Sequence, residues 1–152
     1  MKKKINLKIT EIRHVGIVVN NLQKSLKFFI NVLGFKVFKK MKEKGEYIDT
    51  ILNLKKADVI TCKIKAPDGS LIELLKFKNY RKLDDSKKTI HSNGLKHIAF
   101  TVKDLDKVFK FFQKKKIKFF SAPQVSPDGS AKVVFCRGPE NLIIELVEVF
   151  KT

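Results

Sequence analysis

His14-Val-Gly-Ile-Val-Val-Asn-Asn-Leu22 and His97-Ile-Ala-Phe-Thr-Val-Lys-Asp-Leu105 are two versions of one stretch, and their relation decides how the whole chain is read. The offset of 83 residues continues into the next segment, pairing Asn21 with Asp104, Leu26 with Phe109, Phe28 with Phe111 and Phe29 with Phe112. The copies also correspond at their far ends. There Pro67-Asp68-Gly69-Ser70-Leu71-Ile72-Glu73 aligns with Pro139-Glu140-Asn141-Leu142-Ile143-Ile144-Glu145 at an offset of 72, so the second copy is 11 residues shorter inside. Two copies of this length fit a duplicated half-domain rather than a short-period array.

Each copy predicts the same order of elements. Glu11 to Val19 alternates as a strand, with Ile12, His14, Gly16 and Val18 on one face. Asn20 and Asn21 end it. Asn21 then caps a helix running to about Leu33, whose apolar stripe is Leu22, Leu26, Phe29 and Leu33 and whose stop is Gly34. Phe35 to Lys40 resumes an extended pattern. Val59 to Lys65 and Leu71 to Phe77 flank Pro67-Asp68-Gly69 and read as a hairpin, which puts Glu73 in mid-strand. Glu43 to Lys56 is peculiar to the first copy and is expected to be a loop or short helix. The polar, basic, aperiodic stretch from Asn79 to Asn93 suits a linker that Gly94 ends.

The second copy repeats the pattern. It has a strand from Lys96 to Val102, Asp104 as cap, a helix through Phe112 to about Lys116, and strands near Phe119, from Lys132 to Cys136 and from Leu142 to Val149. The expected class is α+β, built from two βαβββ modules. The expected organisation is one domain over 1–152, with module 9–78 and module 95–149 joined by linker 79–94.

A chain of 152 residues with 43% hydrophobic content can bury a core, roughly two thirds of its unfolded surface. No apolar run approaches the ~18 residues of a membrane span, and no apolar signal core follows Met1-Lys2-Lys3-Lys4, so a cytoplasmic protein without membrane partners is expected. Cys62 and Cys136 are too few for a disulfide scaffold and fall in predicted strands, where buried free thiols are expected. The net charge of +18 raises nucleic acid as a partner, but only Arg13, Arg81 and Arg137 of the 33 basic residues are arginine. Specific base and phosphate recognition favours arginine's fork, so no specific nucleic-acid binding is expected. The positive field instead favours anionic small molecules such as carboxylates, phosphates or coenzyme A thioesters.

Alternation places Glu73 on the strand face of Leu71 and Leu75, and Glu145 on that of Asn141, Ile143 and Val147. A mid-strand carboxylate among aliphatic residues is costly unless a partner or metal compensates it. A single strand histidine is more often a hydrogen-bonded core or surface residue, and a single strand glutamate usually faces water. Duplication changes the weighing, because His14 with Glu73 and His97 with Glu145 recur in matched context. Two imidazoles and two carboxylates form a donor set for a divalent metal ion such as Zn, Ni, Co, Fe or Mn. His91 lies in the polar linker, where a solvent-facing or substrate-adjacent position is expected rather than ligation.

On these residues the chain resembles the vicinal oxygen chelate superfamily, which includes glyoxalase I, methylmalonyl-CoA epimerase, extradiol dioxygenases and the fosfomycin and bleomycin resistance proteins. The resemblance runs from Ile9 to Val149. It is carried by the two histidine stretches with Asn21-Leu22, Phe28-Phe29 and Asp104-Leu105, and by the segments ending at Glu73-Leu74 and Glu145-Leu146. Asn21 and Phe28-Phe29 stand where Asp and Phe-Tyr are usual. The resemblance implies a cup of strands around one metal held by His14, Glu73, His97 and Glu145. That His, Glu, His, Glu order looks most like glyoxalase I.

The implied chemistry is a metal-dependent lyase or isomerase reaction on a substrate with adjacent oxygens. It proceeds through an enediolate or enolate, with Glu145 and Glu73 as catalytic carboxylates. The alternatives are a metal-dependent coenzyme A-thioester epimerase or dioxygenase, a transferase, or a non-catalytic ligand-sequestering protein like the bleomycin resistance members. Glu43, Glu46 and Tyr47 are secondary candidates, with exposed loop charges the blander expectation. Lys36, Lys76 and Lys132 are candidates for holding an anionic tail. A homodimer is implied by the resemblance alone.

Overall fold

The structure, a computed structural model, describes residues 9–80 and 89–150. The chain divides between Arg81 and Lys82 into two compact units. Part of the expected linker, residues 81–88, lies outside the described residues, and Thr89 to Ser92 form a turn.

The first unit contains β1 (Val15–Val18), α1 (Leu22–Asn31), β2 (Lys36–Lys44), α2 (Glu46–Leu52), β3 (Asp58–Lys65) and β4 (Leu71–Phe77). Its sheet runs β1-β4-β3-β2, with β1 parallel to β4 and the other pairs antiparallel. α1 begins where Asn21 accepts a hydrogen bond from the Lys24 N–H at 2.9 Å. It ends as Val32 and Leu33 N–H groups donate to the Phe28 carbonyl and Gly34 takes a positive φ. Leu22, Leu26 and Phe29 are buried, and α1 packs on β4. The Phe29 ring is 1% exposed and meets Phe35 edge-on at 5.5 Å. Cys62, Ile64, Ile72 and Leu74 complete this core on one face of the sheet.

Residues 9–14 are not in a strand, although the alternation from Glu11 predicts one, and Ile12 is 90% exposed. β1 has its register partners only between Ile72 and Leu75 of β4, so the residues before Val15 have no ladder to join. β2 extends beyond Lys40 to Lys44 because β3 continues opposite it as far as Asp58. The stretch peculiar to this half forms α2, whose Ile48 packs with Ala57 and Val59 and against Leu75 and Phe77. Val59 and Phe77 are register partners. By strand alternation they lie on the face opposite Cys62 and Leu74.

The second unit contains β5 (His97–Thr101), α3 (Leu105–Lys114), β6 (Lys118–Phe119), β7 (Gln124–Val125), β8 (Ala131–Arg137) and β9 (Ile143–Val149). The order is β5-β9-β8-β6, with β7 also paired to β8 and β5 parallel to β9. Asp104 caps α3 by accepting from the Lys107 N–H at 3.0 Å. That backbone bond, reinforced by the Lys107 ammonium, holds the Asp104 carboxyl below its ordinary range. The Leu105 N–H finds its acceptor in Glu148 of β9 at 2.9 Å. Leu105, Phe112, Val134, Cys136, Ile144 and Leu146 form the core beneath α3. The strand expected near Phe119 is split into β6 and β7. Asn141 belongs to a tight turn with positive φ rather than to the strand of Glu145, because Pro139 at the start of that turn donates no N–H to a ladder.

Among the described residues the architecture is thus α+β with two sheets, of four and five strands, and no closed barrel. Among the described residues no helix is long and apolar enough to cross a membrane.

Two outcomes follow from the packing. Asn21→Ala removes the α1 cap and is expected to lower stability by about 1 kcal/mol in urea titration with an unchanged m-value. Burial pushes the Cys136 thiol up to about 11, and burial also raises Cys62 against the opposing charge of Lys40. At pH 8 little thiolate exists at either, so Ellman's reagent is expected to leave the native chain unmodified and to titrate both thiols once it is unfolded.

Candidate functional site

In both units the same backbone arrangement brings histidine to glutamate. In the first unit the parallel register sets Gly16 opposite Glu73, with His14 two residues ahead of Gly16 on the same face. His14 Nε2 then lies 3.3 Å from Glu73 Oε2, with the side chains 28% and 15% exposed. The His14 Nδ1 is buried with no hydrogen-bond partner. In the second unit Ala99 lies opposite Glu145 and His97 is again two residues ahead. His97 Nε2 is 3.2 Å from Glu145 Oε2. Each pair sits on the sheet face away from the helix-covered core, since Ile72, Leu74, Ile144 and Leu146 point the other way.

Across the sheet the two pairs have different neighbours. Lys63 of β3 is the register partner of Glu73, and its ammonium approaches Glu73 Oε1 at 3.5 Å. The corresponding partner of Glu145 is Phe135. The Phe135 ring stands edge-on to the His97 ring at 5.4 Å and lies 6.2 Å from the Phe120 ring, over which the Arg137 guanidinium stacks. One carboxylate is therefore flanked by a cation and the other by aromatic rings. α2 closes one end of the first unit's open face, because Leu75 and Phe77, which Ile48 packs against, follow Glu73 along β4.

The secondary candidates are distributed differently. Tyr47 is 71% exposed and Glu46 is exposed at the start of α2. Glu43 lies in β2 opposite Val59. Lys132 is tied to Asp106 of α3 at 2.8 Å, and Lys36 lies opposite Lys65 at the end of β2. Lys76 lies opposite Ile60. His91 accompanies Ile90 and Lys96 in walling an open cleft floored by His97 and Phe135, with Thr89 Oγ1 3.2 Å from its Nδ1.

Lys63 and Phe135 were missed in reading the sequence. The signal was available: a hairpin reversing at Asp68 sets residue 63 opposite 73, and the turn at Glu140 sets 135 opposite 145.

An imidazole nitrogen and a carboxylate oxygen are the donors that divalent transition metals take. Two ligands each ~2.1 Å from one ion lie roughly 3.0–3.4 Å apart at right to tetrahedral angles, and the pairs measure 3.3 Å and 3.2 Å. The same spacing serves a long hydrogen bond when the imidazole donates. The donor chemistry fits a metal. Among the described residues no three His, Cys, Asp or Glu side chains stand in one group that could hold an ion, and each unit by itself has one imidazole–carboxylate pair.

The family described as the Glyoxalase/Bleomycin resistance protein/Dioxygenase superfamily matches residues 13–147. The chain is 29% identical over 145 residues to the uncharacterized protein YwkD of Bacillus subtilis, covering 92% of this chain and 98% of that one. A glyoxalase family protein from Bacillus cereus has a similar structure, with a TM-score of 0.86 at 24% identity over 98% of this chain and 100% of that one. The trypanothione-dependent glyoxalase I of Leishmania major matches at a TM-score of 0.63 and 21% identity, over 92% and 87% of the two chains. Both structural likenesses bear on the fold alone.

The ring contact at His97 is directly testable. Phe135→Leu is expected to shift the ring-proton resonances of His97 through loss of the aromatic ring current, leaving those of His14 in place. Equal movement of both in a two-dimensional histidine spectrum would show the contact to be absent in solution.

Proposed function

The chain belongs to the Glyoxalase/Bleomycin resistance protein/Dioxygenase superfamily, the vicinal oxygen chelate group, and from that premise we propose that it is a metal-dependent lyase or isomerase of the glyoxalase type. The observation that carries this reading is the duplicated imidazole–carboxylate pair, His14 with Glu73 and His97 with Glu145, on the open face of each sheet. His14, Glu73, His97 and Glu145 are the residues that would hold a divalent ion. When bound, the ion supplies Lewis-acid polarisation of a substrate carbonyl beside a second oxygen, which acidifies the adjacent C–H.

The chain's own groups do the rest. Glu145 takes the proton from the carbon next to the carbonyl, and the electron pair of that C–H bond becomes a carbon–carbon double bond as the carbonyl π pair moves onto oxygen. The protonated Glu145 carboxyl then returns the proton to the former carbonyl carbon while the substrate hydroxyl proton passes to the oxygen there. Glu145 suits the role of base because its cross-strand neighbour is the apolar Phe135, which excludes water from one side. Glu73, beside Lys63, suits the role of the carboxylate that orients rather than transfers. Phe135 and Phe120 offer an apolar wall for the uncharged part of the substrate, and the net charge of +18 draws in its anionic part. A homodimer and a cytoplasmic location complete the proposal.

Ligand sequestration without catalysis is the second reading, favoured by the open cleft at His97 and Phe135.

Elemental analysis after supply of divalent ions is expected to find about one equivalent of metal per chain. It should find almost none in a His97→Ala, Glu145→Ala double variant. The loaded protein should exchange the α-hydrogen of a 2-oxoaldehyde thiohemiacetal or a coenzyme A thioester into deuterated water. Metal binding without exchange on either class would leave sequestration as the function, and no metal in the wild type would end the enzymatic reading.

A further inference from the structure

Duplication supplies an internal comparison that a single-copy fold lacks. The row of register partners across the first sheet is Gly16, Glu73, Lys63 and Lys39. The equivalent row in the second unit is Ala99, Glu145 and Phe135, with the Phe120 N–H bonded to the Phe135 carbonyl in the flanking chain. The small residue and the glutamate are kept in both. Beyond them the first row is basic and the second aromatic. Because the second unit builds the same strand pairing with phenylalanine, the fold does not require a lysine at position 63.

Lys63 also sits where a lysine is costly without compensation. Its side chain is 21% exposed, and its neighbour across β2 is the cation Lys39. Like charges directly opposite on a sheet repel, and a partly buried lysine side chain is favoured by a counter-ion. Glu73 Oε1 is that counter-ion, while Glu73 Oε2 faces His14. Both carboxylate oxygens of Glu73 thus have partners on the protein, and one of those partners carries a full positive charge.

We propose that Lys63 is a built-in competitor for the first metal-binding pair, so that the His14–Glu73 pair holds a divalent cation more weakly than the His97–Glu145 pair. This rests on the metal-dependent reading above and deepens it. An incoming cation must displace the ammonium from Glu73 Oε1 or sit within a few ångströms of it, and either costs binding energy that the second pair, with Phe135 in the same place, does not spend.

The test is isothermal titration of the full-length protein with Mn2+ and Ni2+, without substrate. Lys63→Met keeps most of the methylene stem and removes the charge. It is expected to tighten binding about tenfold, equivalent to about 1.4 kcal/mol, with unchanged stoichiometry. Phe135→Lys, which writes the first row's cation into the second, is expected to weaken binding by a similar factor. Circular dichroism checks that each variant is folded, and Lys63→Gln replaces Lys63→Met if the latter is not. Affinities within twofold of wild type for both charge variants would overturn the competitor role while leaving the metal-dependent reading intact. Absence of binding by every form would overturn both.

Discussion

Everything at the candidate site depends on one feature, the parallel pairing of the first and last strands of each unit. β1 beside β4 and β5 beside β9 are the only parallel pairs among the described strands. They join residues far apart in the chain, and the amphipathic helices α1 and α3 follow the first strand of each. The register is what gives the pairing chemical meaning. A slip of one residue would turn Glu73 and Glu145 toward the helices and bury them in the apolar core. Leu74 and Leu146, which are fully buried, hold the register against that slip.

The two faces of each sheet then settle what the carboxylates cost. On the covered face the central side chains are Cys62, Ile64, Ile72 and Leu74, or Val134, Cys136, Ile144 and Leu146, and the charges of the last strands on that face, Lys76 and Glu148, come only toward the strand ends. On the other face a glutamate is partly exposed and meets an imidazole, so its charge is compensated by a neighbour and by residual water rather than by the core. Polar chemistry at the centre of a strand is tolerated because a sheet has two sides and a helix covers only one. α2 extends the apolar cover onto part of the open face in the first unit, giving that half a wall that the second unit does not build from the same stretch of chain.

Divergence between the copies is as informative as their likeness. Duplication preserved the histidine, the small residue opposite the glutamate, the glutamate and the helix cap, as Asn21 and Asp104 show by bonding the same backbone position of their helices. It did not preserve the cross-strand neighbour, and the split of the strand after α3 into β6 and β7 places Phe120 beside Phe135 in the second unit alone. Two imidazole–carboxylate pairs with the same groups therefore differ in electrostatic surroundings.

The sequence by itself determined the duplication, the α+β class, the caps and the covered faces, because each is written in local periodicity or in spacing that survives without knowledge of distant contacts. The Asp68-Gly69 turn even carried the register that sets Lys63 against Glu73. Periodicity did not determine where strands stop: Ile12 alternates correctly yet stays outside β1, since a strand ends where its neighbour's hydrogen-bonding groups run out. Tertiary structure alone decided that Glu148 caps α3 from β9 and that Ile48 packs the helix after β2 over the open face. Each of these is a contact between segments whose meeting depends on the fold of the unit, and no local pattern encodes such a meeting.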